Sequence, residues 1–203
     1  MSRWFFVRHA AVDLAEARLS GRSDVSIRPP DPQQLAWLKR QLPATPEGNM
    51  EVFRSGLKRS AETLQALNLH ANASALSDFD EQDFGEWEGQ SWQRLGQRAA
   101  TFWLDPAGSR PPGGESFIDV CLRVTQAMHR LHAQSPEKDK LLLVHAGSIR
   151  AALALALELS LAKALRFVVA PLSLTILTAH SSDEGLSWSV EPVNRTAQLP
   201  EAS

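Results

Sequence analysis

Two short apolar runs along the chain each stop at a histidine. Trp4-Phe5-Phe6-Val7 leads into Arg8-His9, and Leu141-Leu142-Leu143-Val144 leads into His145. Consecutive apolar positions with no polar alternation predict strands buried on both faces. Between and after them the apolar positions switch to helical spacing. Asp31-Pro32 suits a helix start, with Leu35, Leu38 and Leu42 on one face and Pro43 to Gly48 ending it. Met50 to Phe53 predicts a second short strand. Lys58 to Leu69 predicts a helix with Ala61, Leu64 and Leu67 inward, and Ala75 to Phe79 a weak strand. Residues 92–104 predict one helix. Glu115 or Ser116 opens a long one, with Phe117, Val120, Val124, Met128 and Leu131 in period. Residues 147–159 are apolar on nearly all sides and predict a buried helix. Leu172 to Ala179 and Leu186 to Val193 flank Ser182-Asp-Glu-Gly185 and predict a hairpin. Segments 10–30, 80–90 and 105–114 are loops by composition. Strands alternating with helices predict an α/β fold with a mostly parallel sheet. Residues 1–193 are expected to form one domain, with a loose tail from Asn194.

Composition narrows the function classes. Hydrophobic residues make up 43% of 203, enough to bury a real core and exclude bulk disorder. Lys and Arg number 21 against 23 Asp and Glu, so the basic excess of a nucleic-acid binder is missing. A single cysteine, Cys121, excludes a disulfide framework and a cysteine zinc cluster, and its helical context predicts a buried structural thiol. The N-terminal run Trp4–Val7 is too short for a signal peptide's apolar core, and Ala151 to Leu157 falls far short of the roughly 20 residues of a membrane span. The expectation is a cytoplasmic protein with neither a nucleic-acid nor a membrane partner. A homodimer stays open.

The candidate chemistry lies at the strand ends, where open parallel sheets bind ligands. His9 and His145 could meet in one crevice there. Arg8, directly after a buried strand, needs an anion: either a salt bridge or a phosphate or carboxylate ligand held by its fork of N–H donors. Arg54-Ser-Gly-Leu-Lys-Arg59-Ser-Ala-Glu-Thr63 passes from a strand into a helix, whose free N–H groups suit an anion; a plain serine N-cap is the alternative. Glu81-Gln-Asp-Phe-Gly-Glu-Trp-Glu-Gly89 alternates acids, aromatics and glycines, as in a loop folded tightly against something or in a solvated face.

These motifs resemble the histidine phosphatase superfamily, with its phosphoglycerate-mutase-like fold. Arg8-His9 is similar to its Arg-His-Gly signature, residues 55–63 to its second arginine segment, and residues 81–89 to its Glu-x-x-Phe-Gly-x-x-Glu-Gly loop. Pro112-Gly-Gly-Glu-Ser116 resembles a loop of its small phosphatases, and His145-Ala146-Gly147 its second histidine motif. The motifs keep family order across residues 4–150. The resemblance implies a three-layer α/β/α sandwich and a metal-independent phosphomonoester hydrolase needing no cofactor. His9 would be the nucleophile that becomes phosphohistidine, and Glu81 the proton donor. Arg8, Arg59 and a protonated His145 would surround the phosphoryl oxygens, with Ala146 beside them. The substrate would be a small phosphorylated metabolite. Overall size and the 112–116 loop are similar to α-ribazole phosphatase, which points to α-ribazole 5′-phosphate.

There are departures. Ala10 and Ala146 stand where the family has glycines, and Ala15 where many members carry asparagine. Ser20 or Arg22 could supply the missing contact, with Arg22 as a substrate-binding candidate. Three rivals remain: a mutase-type phosphotransferase, a magnesium phosphatase using Asp78-Phe79-Asp80, and a phospholigand-binding module without turnover. Mutases carry a longer insert after the acid loop, and Glu88-Gly89 closes that loop here. His129-x-x-His132 has metal-ligand spacing but complements a helix C-terminus more simply.

Overall fold

A computed structural model describes residues 1–13, 18–43, 49–69 and 72–197. The apolar runs become neighbouring strands. In chain order the elements are β1 (Ser2–Arg8), α1 (Pro32–Gln41), β2 (Met50–Arg54), α2 (Lys58–Ala66), β3 (Ser74–Ala75), α3 (Trp92–Leu95), α4 (Ala100–Leu104), α5 (Phe117–Gln134), β4 (Asp139–Val144), α6 (Ala146–Ala156), α7 (Leu161–Ala164), β5 (Leu174–Ser182) and β6 (Gly185–Val190). The sheet order is β3-β2-β4-β1-β5-β6. Strands β1, β2, β3 and β4 run parallel, and β5 and β6 run antiparallel to their neighbours.

The pleat explains the layers. Trp4, Phe6, Leu142 and Val144 point to one face and pack against Phe117, Val120, Val124 and Met128 of α5 and Ile149 and Leu153 of α6. Phe5, Val7, Leu141 and Leu143 point to the other and pack against Leu38 of α1 and Leu64 of α2. This is the expected mixed α/β architecture with helices on both faces. A third cluster packs Leu19, from the loop between β1 and α1, against Trp87, Leu95, Ala99 and Phe102 of the excursion between β3 and α5.

Caps set several boundaries. The Asp31 side chain accepts from the amides of Gln33 and Gln34. Ser116 and Asp119 form a reciprocal capping box on α5. Cys121 is buried, and burial pushes its thiol up to about 12.

Some expectations need correction. Only Ser74–Ala75 pairs as a strand, because Ser77–Phe79 coils into a 3₁₀ turn. Residues 92–104 are not one helix: Gly96 takes φ +51° and breaks it into α3, a 3₁₀ turn (Gly96–Ala99) and α4. Helix α2 stops at Ala66, with Asn68 in the left-handed region at φ 53°. Helix α6 ends at Ala156 and α7 follows as a separate turn. The tail is not loose from its first residue. Arg195 bridges Leu174, and Asn194 accepts from the Ala170 amide at 2.6 Å. Ala15, much of the 43–48 helix stop and residues 198–203 lie outside the described residues.

Candidate active site

Parallel register brings the ends of three strands to one edge. Arg8 stands opposite Val144, and Arg54 opposite Leu143. The next residues in the chain, His9, Ser55 and His145, therefore emerge side by side, although 136 residues separate the two histidines. Their rings lie 5.0 Å apart between centroids. The sequence-predicted juxtaposition is present.

His9 is held from both directions. Its amide donates to the Val144 carbonyl at 2.9 Å, and its Nδ1 lies 2.7 Å from the Ala10 carbonyl oxygen. A carbonyl only accepts, so Nδ1 carries the hydrogen and Nε2 keeps its lone pair. Burial, then the charges of Arg59 and Arg8, push the His9 pKa down to about 3. The ring is a neutral base.

Arg59 sits in the first turn of α2 and is 1% exposed. Its Nη1 donates to the Ser23 carbonyl at 2.8 Å, its Nη2 to the Gly21 carbonyl at 2.5 Å and its Nε to His145 Nδ1 at 3.2 Å. Arg8 donates through Nη1 to the Val169 carbonyl, while its Nε is buried with no partner among the described residues. Burial lowers both arginine pKa values, and the Glu81 carboxylate partly restores each.

Glu81 caps a helix. Its carboxylate accepts from the Gly147 amide at 3.0 Å (Oε1) and 3.3 Å (Oε2), and its Oε1 accepts from the Gln82 amide at 3.0 Å. Ala146 is the first residue of α6, beside this carboxylate. The alanines at 10 and 146 create no backbone strain, because neither has positive φ. The Ala10 amide donates to Thr63 Oγ1 at 2.9 Å and is committed inside the fold.

His145 differs from the expected imidazolium. It is fully buried, and burial together with His9, Arg59 and Arg8 holds its pKa well below 6.5. Its Nδ1 also accepts the Arg59 N–H, which a protonated ring could not do. The free ring is neutral.

Arg22 is not gathered with the others. Its guanidinium pairs with Glu115 at 3.2 Å, and Glu115 also holds Arg123 at 3.1 Å. The aspartate pair of the magnesium rival diverges as well. Asp78 meets Arg130 at 3.0 Å, while Asp80 accepts from the Gly56 amide at 2.7 Å. His132 spends its Nε2 on Ser181 Oγ at 2.8 Å.

Sequence reasoning missed three participants. In the sequence Ser55 reads as no more than an N-cap serine or the start of the second arginine segment, yet its Oγ lies 2.7 Å from His145 Nε2. Arg150, one turn into α6, has its pKa lowered by burial and partly restored by the Glu81 carboxylate, and its Nε donates to the Phe167 carbonyl at 2.9 Å. A lone arginine ahead of the apolar run 151–157 was its signal. In the sequence Glu88 does no more than close the acid loop. The arrangement can hold a dianionic tetrahedral group on guanidinium donors beside a neutral nucleophilic imidazole and a carboxyl group.

Comparison with known proteins agrees. The histidine phosphatase superfamily (branch 1) model matches residues 4–191, and the chain belongs to that family. It is 30% identical over 204 residues to the bifunctional protein Rv2228c of Mycobacterium tuberculosis, covering 98% of this chain and 55% of that protein. The chain thus spans about half the length of the curated relatives it matches. Among solved structures it is similar to the mycobacterial glucosyl-3-phosphoglycerate phosphatase Rv2419c (TM-score 0.79, 24% identity, 97% of this chain and 100% of that one). It is also similar to a putative α-ribazole-5′-P phosphatase from Escherichia coli (TM-score 0.78, 18% identity, 98% and 99%). These two likenesses show the fold. No helix among the described residues is long and apolar enough to cross a membrane.

Proposed function

We propose that this chain hydrolyses small phosphomonoesters without a metal, through a phosphohistidine at His9. The observation that carries the reading is the pinned, neutral His9 ring, with Nε2 as its free lone pair, beside the buried Arg59, the half-buried Arg8 and a second imidazole. A phosphomonoester brings about −1.5 to −2 charge near neutrality, which the guanidinium groups of Arg8 and Arg59 can balance. The unpartnered Nε of Arg8 is a donor such a ligand would satisfy.

In the first step His9 Nε2 attacks phosphorus while the ester P–O bond breaks. The leaving oxygen takes a proton from Glu81, whose carboxyl lies at the edge of the same cluster. Arg8, Arg59 and the α6 N-terminus at Ala146 stabilise the equatorial oxygens as charge moves between them. A monoanionic ester gives its proton to His145 Nδ1 as it enters, which releases the Arg59 Nε–H that this nitrogen accepts in the free protein, and the imidazolium hydrogen-bonds a phosphoryl oxygen until inorganic phosphate carries the proton away. In the second step water attacks phosphorus, Glu81 takes the water's proton, and the P–N bond breaks to return neutral His9 and inorganic phosphate.

The lack of a longer insert after Glu88-Gly89 favours hydrolysis over mutase transfer. The 112–116 loop makes α-ribazole 5′-phosphate the first substrate to try, in a cytoplasmic enzyme of cobalamin assembly. The runner-up is a phosphoglycerate-mutase-type transferase. Turnover of p-nitrophenyl phosphate in EDTA, abolished by His9→Ala, supports the proposal. Turnover that requires added Mg²⁺, or that survives His9→Ala, overturns it. A screen of phosphorylated metabolites, including α-ribazole 5′-phosphate and 3-phosphoglycerate, then separates phosphate release from transfer.

A further inference from the structure

The geometry points to Glu88 as a positioning residue that sets Arg59 through the 21–23 turn; this rests on the reading of Arg59 as a phosphoryl ligand. Glu88 follows the 3₁₀ turn Gly85–Trp87. Its carboxylate collects five donors. The Gly21 amide reaches Oε2 at 3.0 Å, the Arg22 amide Oε1 at 2.9 Å and the Ser23 amide Oε2 at 3.3 Å. Ser23 Oγ also donates to Oε2, and the Phe84 amide to Oε1 at 3.1 Å.

The other side of the same turn faces Arg59. The carbonyls of Gly21 and Ser23 accept its Nη2 and Nη1. One short segment therefore presents amides to a carboxylate and carbonyls to a guanidinium. Arg59 has five N–H donors in a rigid fork. In the free protein three are taken, by Gly21, Ser23 and His145, and at least two remain for a ligand. The turn decides where those point. Without the carboxylate, three adjacent amides lose their acceptor, and the carbonyls that aim Arg59 lose their frame. The Glu88 charge also acts directly to favour the charged form of Arg59.

A purely structural Glu88 would change stability but not couple to Arg59, so the test is a double-mutant cycle. Wild type, Glu88→Gln, Arg59→Ala and the double variant are compared for kcat/KM on p-nitrophenyl phosphate and for inhibition by orthovanadate. The expected result is at least a tenfold loss of vanadate affinity in Glu88→Gln. In the Arg59→Ala background the same substitution should add less than twofold. Independent, multiplying losses overturn the proposal, as does unchanged vanadate affinity in a folded Glu88→Gln. If that variant does not fold, Ser23→Ala removes one donor of the cluster and runs through the same cycle under the same criterion. The ¹⁵N resonance of Arg59 Nε gives a readout independent of activity. If Arg59→Ala alone leaves vanadate binding intact, the phosphoryl role of Arg59 fails. A shift of that resonance on substituting Glu88 would still support the clamp, and an unmoved resonance would sink it.

Discussion

Ser55 Oγ lies 2.7 Å from Nε2 of His145, and donor counting fixes where the proton sits between them. The Ser60 hydroxyl has one hydrogen and faces two carbonyls, those of Ser55 and Leu57. It therefore only accepts from Ser55 Oγ, at 2.8 Å. The Ser55 hydrogen is spent on Ser60, so His145 Nε2 must be the donor to Ser55. Nδ1 is left as the acceptor for Arg59, and the tautomer is set by two serines of the β2–α2 junction.

Ser55→Ala should leave His145 Nε2–H buried without an acceptor. Such a loss costs about 1–3 kcal/mol of folding stability, and kcat/KM should fall because the ring tautomer is no longer fixed. Ring ¹⁵N shifts of His145 should move toward a tautomer mixture. Activity and shifts identical to wild type would contradict the assignment.

Stability should depend on two buried histidines. His9 titrates at about 3 when folded against about 6.5 unfolded, and His145 is depressed in the same direction. Between those values the unfolded chain binds more protons, so stability is present above about pH 6.5 and is lost as pH falls toward 3. Each histidine contributes a slope of at most about 1.4 kcal/mol per pH unit. Urea unfolding from pH 7 to pH 4 should show the decline, and His9→Asn should flatten it. An unchanged slope in that variant would refute the buried-neutral assignment.

Glu81→Gln should separate leaving groups. An alkyl phosphate needs its oxygen protonated and should lose about 10²–10⁴ in kcat. The nitrophenolate of p-nitrophenyl phosphate leaves without that proton, but water attack on phosphohistidine still lacks its base. Rapid mixing should then show a burst of nitrophenol followed by slow turnover. Equal losses on both substrates with no burst would deny Glu81 its proton-transfer role.

Two glycines should give opposite phenotypes. A methyl at Gly21 would run into the Gln82 carbonyl oxygen, Glu88 Oε1 and the Phe84 ring. Backbone cannot yield cheaply there, so Gly21→Ala should destabilise by about 1–3 kcal/mol. At Gly147 the methyl meets the Glu81 carboxylate, the far end of a flexible side chain. Gly147→Ala should keep its melting temperature within a few degrees yet resemble Glu81→Gln in kinetics. Thermal melts and the burst assay together decide between them.

Much of this was visible in the one-dimensional pattern. The consecutive apolar positions before His9 and His145 required strands covered on both sides, and the parallel pairing follows. Period and caps placed α1, α5 and α6 within a few residues. The pattern failed where tertiary contacts overrode local preference. Ser77–Phe79 coils because its chain leaves the sheet, and Gly96 breaks an otherwise helical stretch with a positive φ that a hydrophobic period does not report.

The order and type of Arg8, His9, Arg59, Glu81 and His145 are properties of the chain itself, and they were enough to identify the family. What the folded arrangement alone decided is their chemical state. Neutral imidazoles need burial beside guanidinium charge. The His145 tautomer needs Ser55 and Ser60 brought from another strand, and the aim of Arg59 needs Glu88 acting across a turn 65 residues away. Proton positions and donor directions depend on distances of a few ångströms between segments remote in sequence, and no spacing along the chain encodes those.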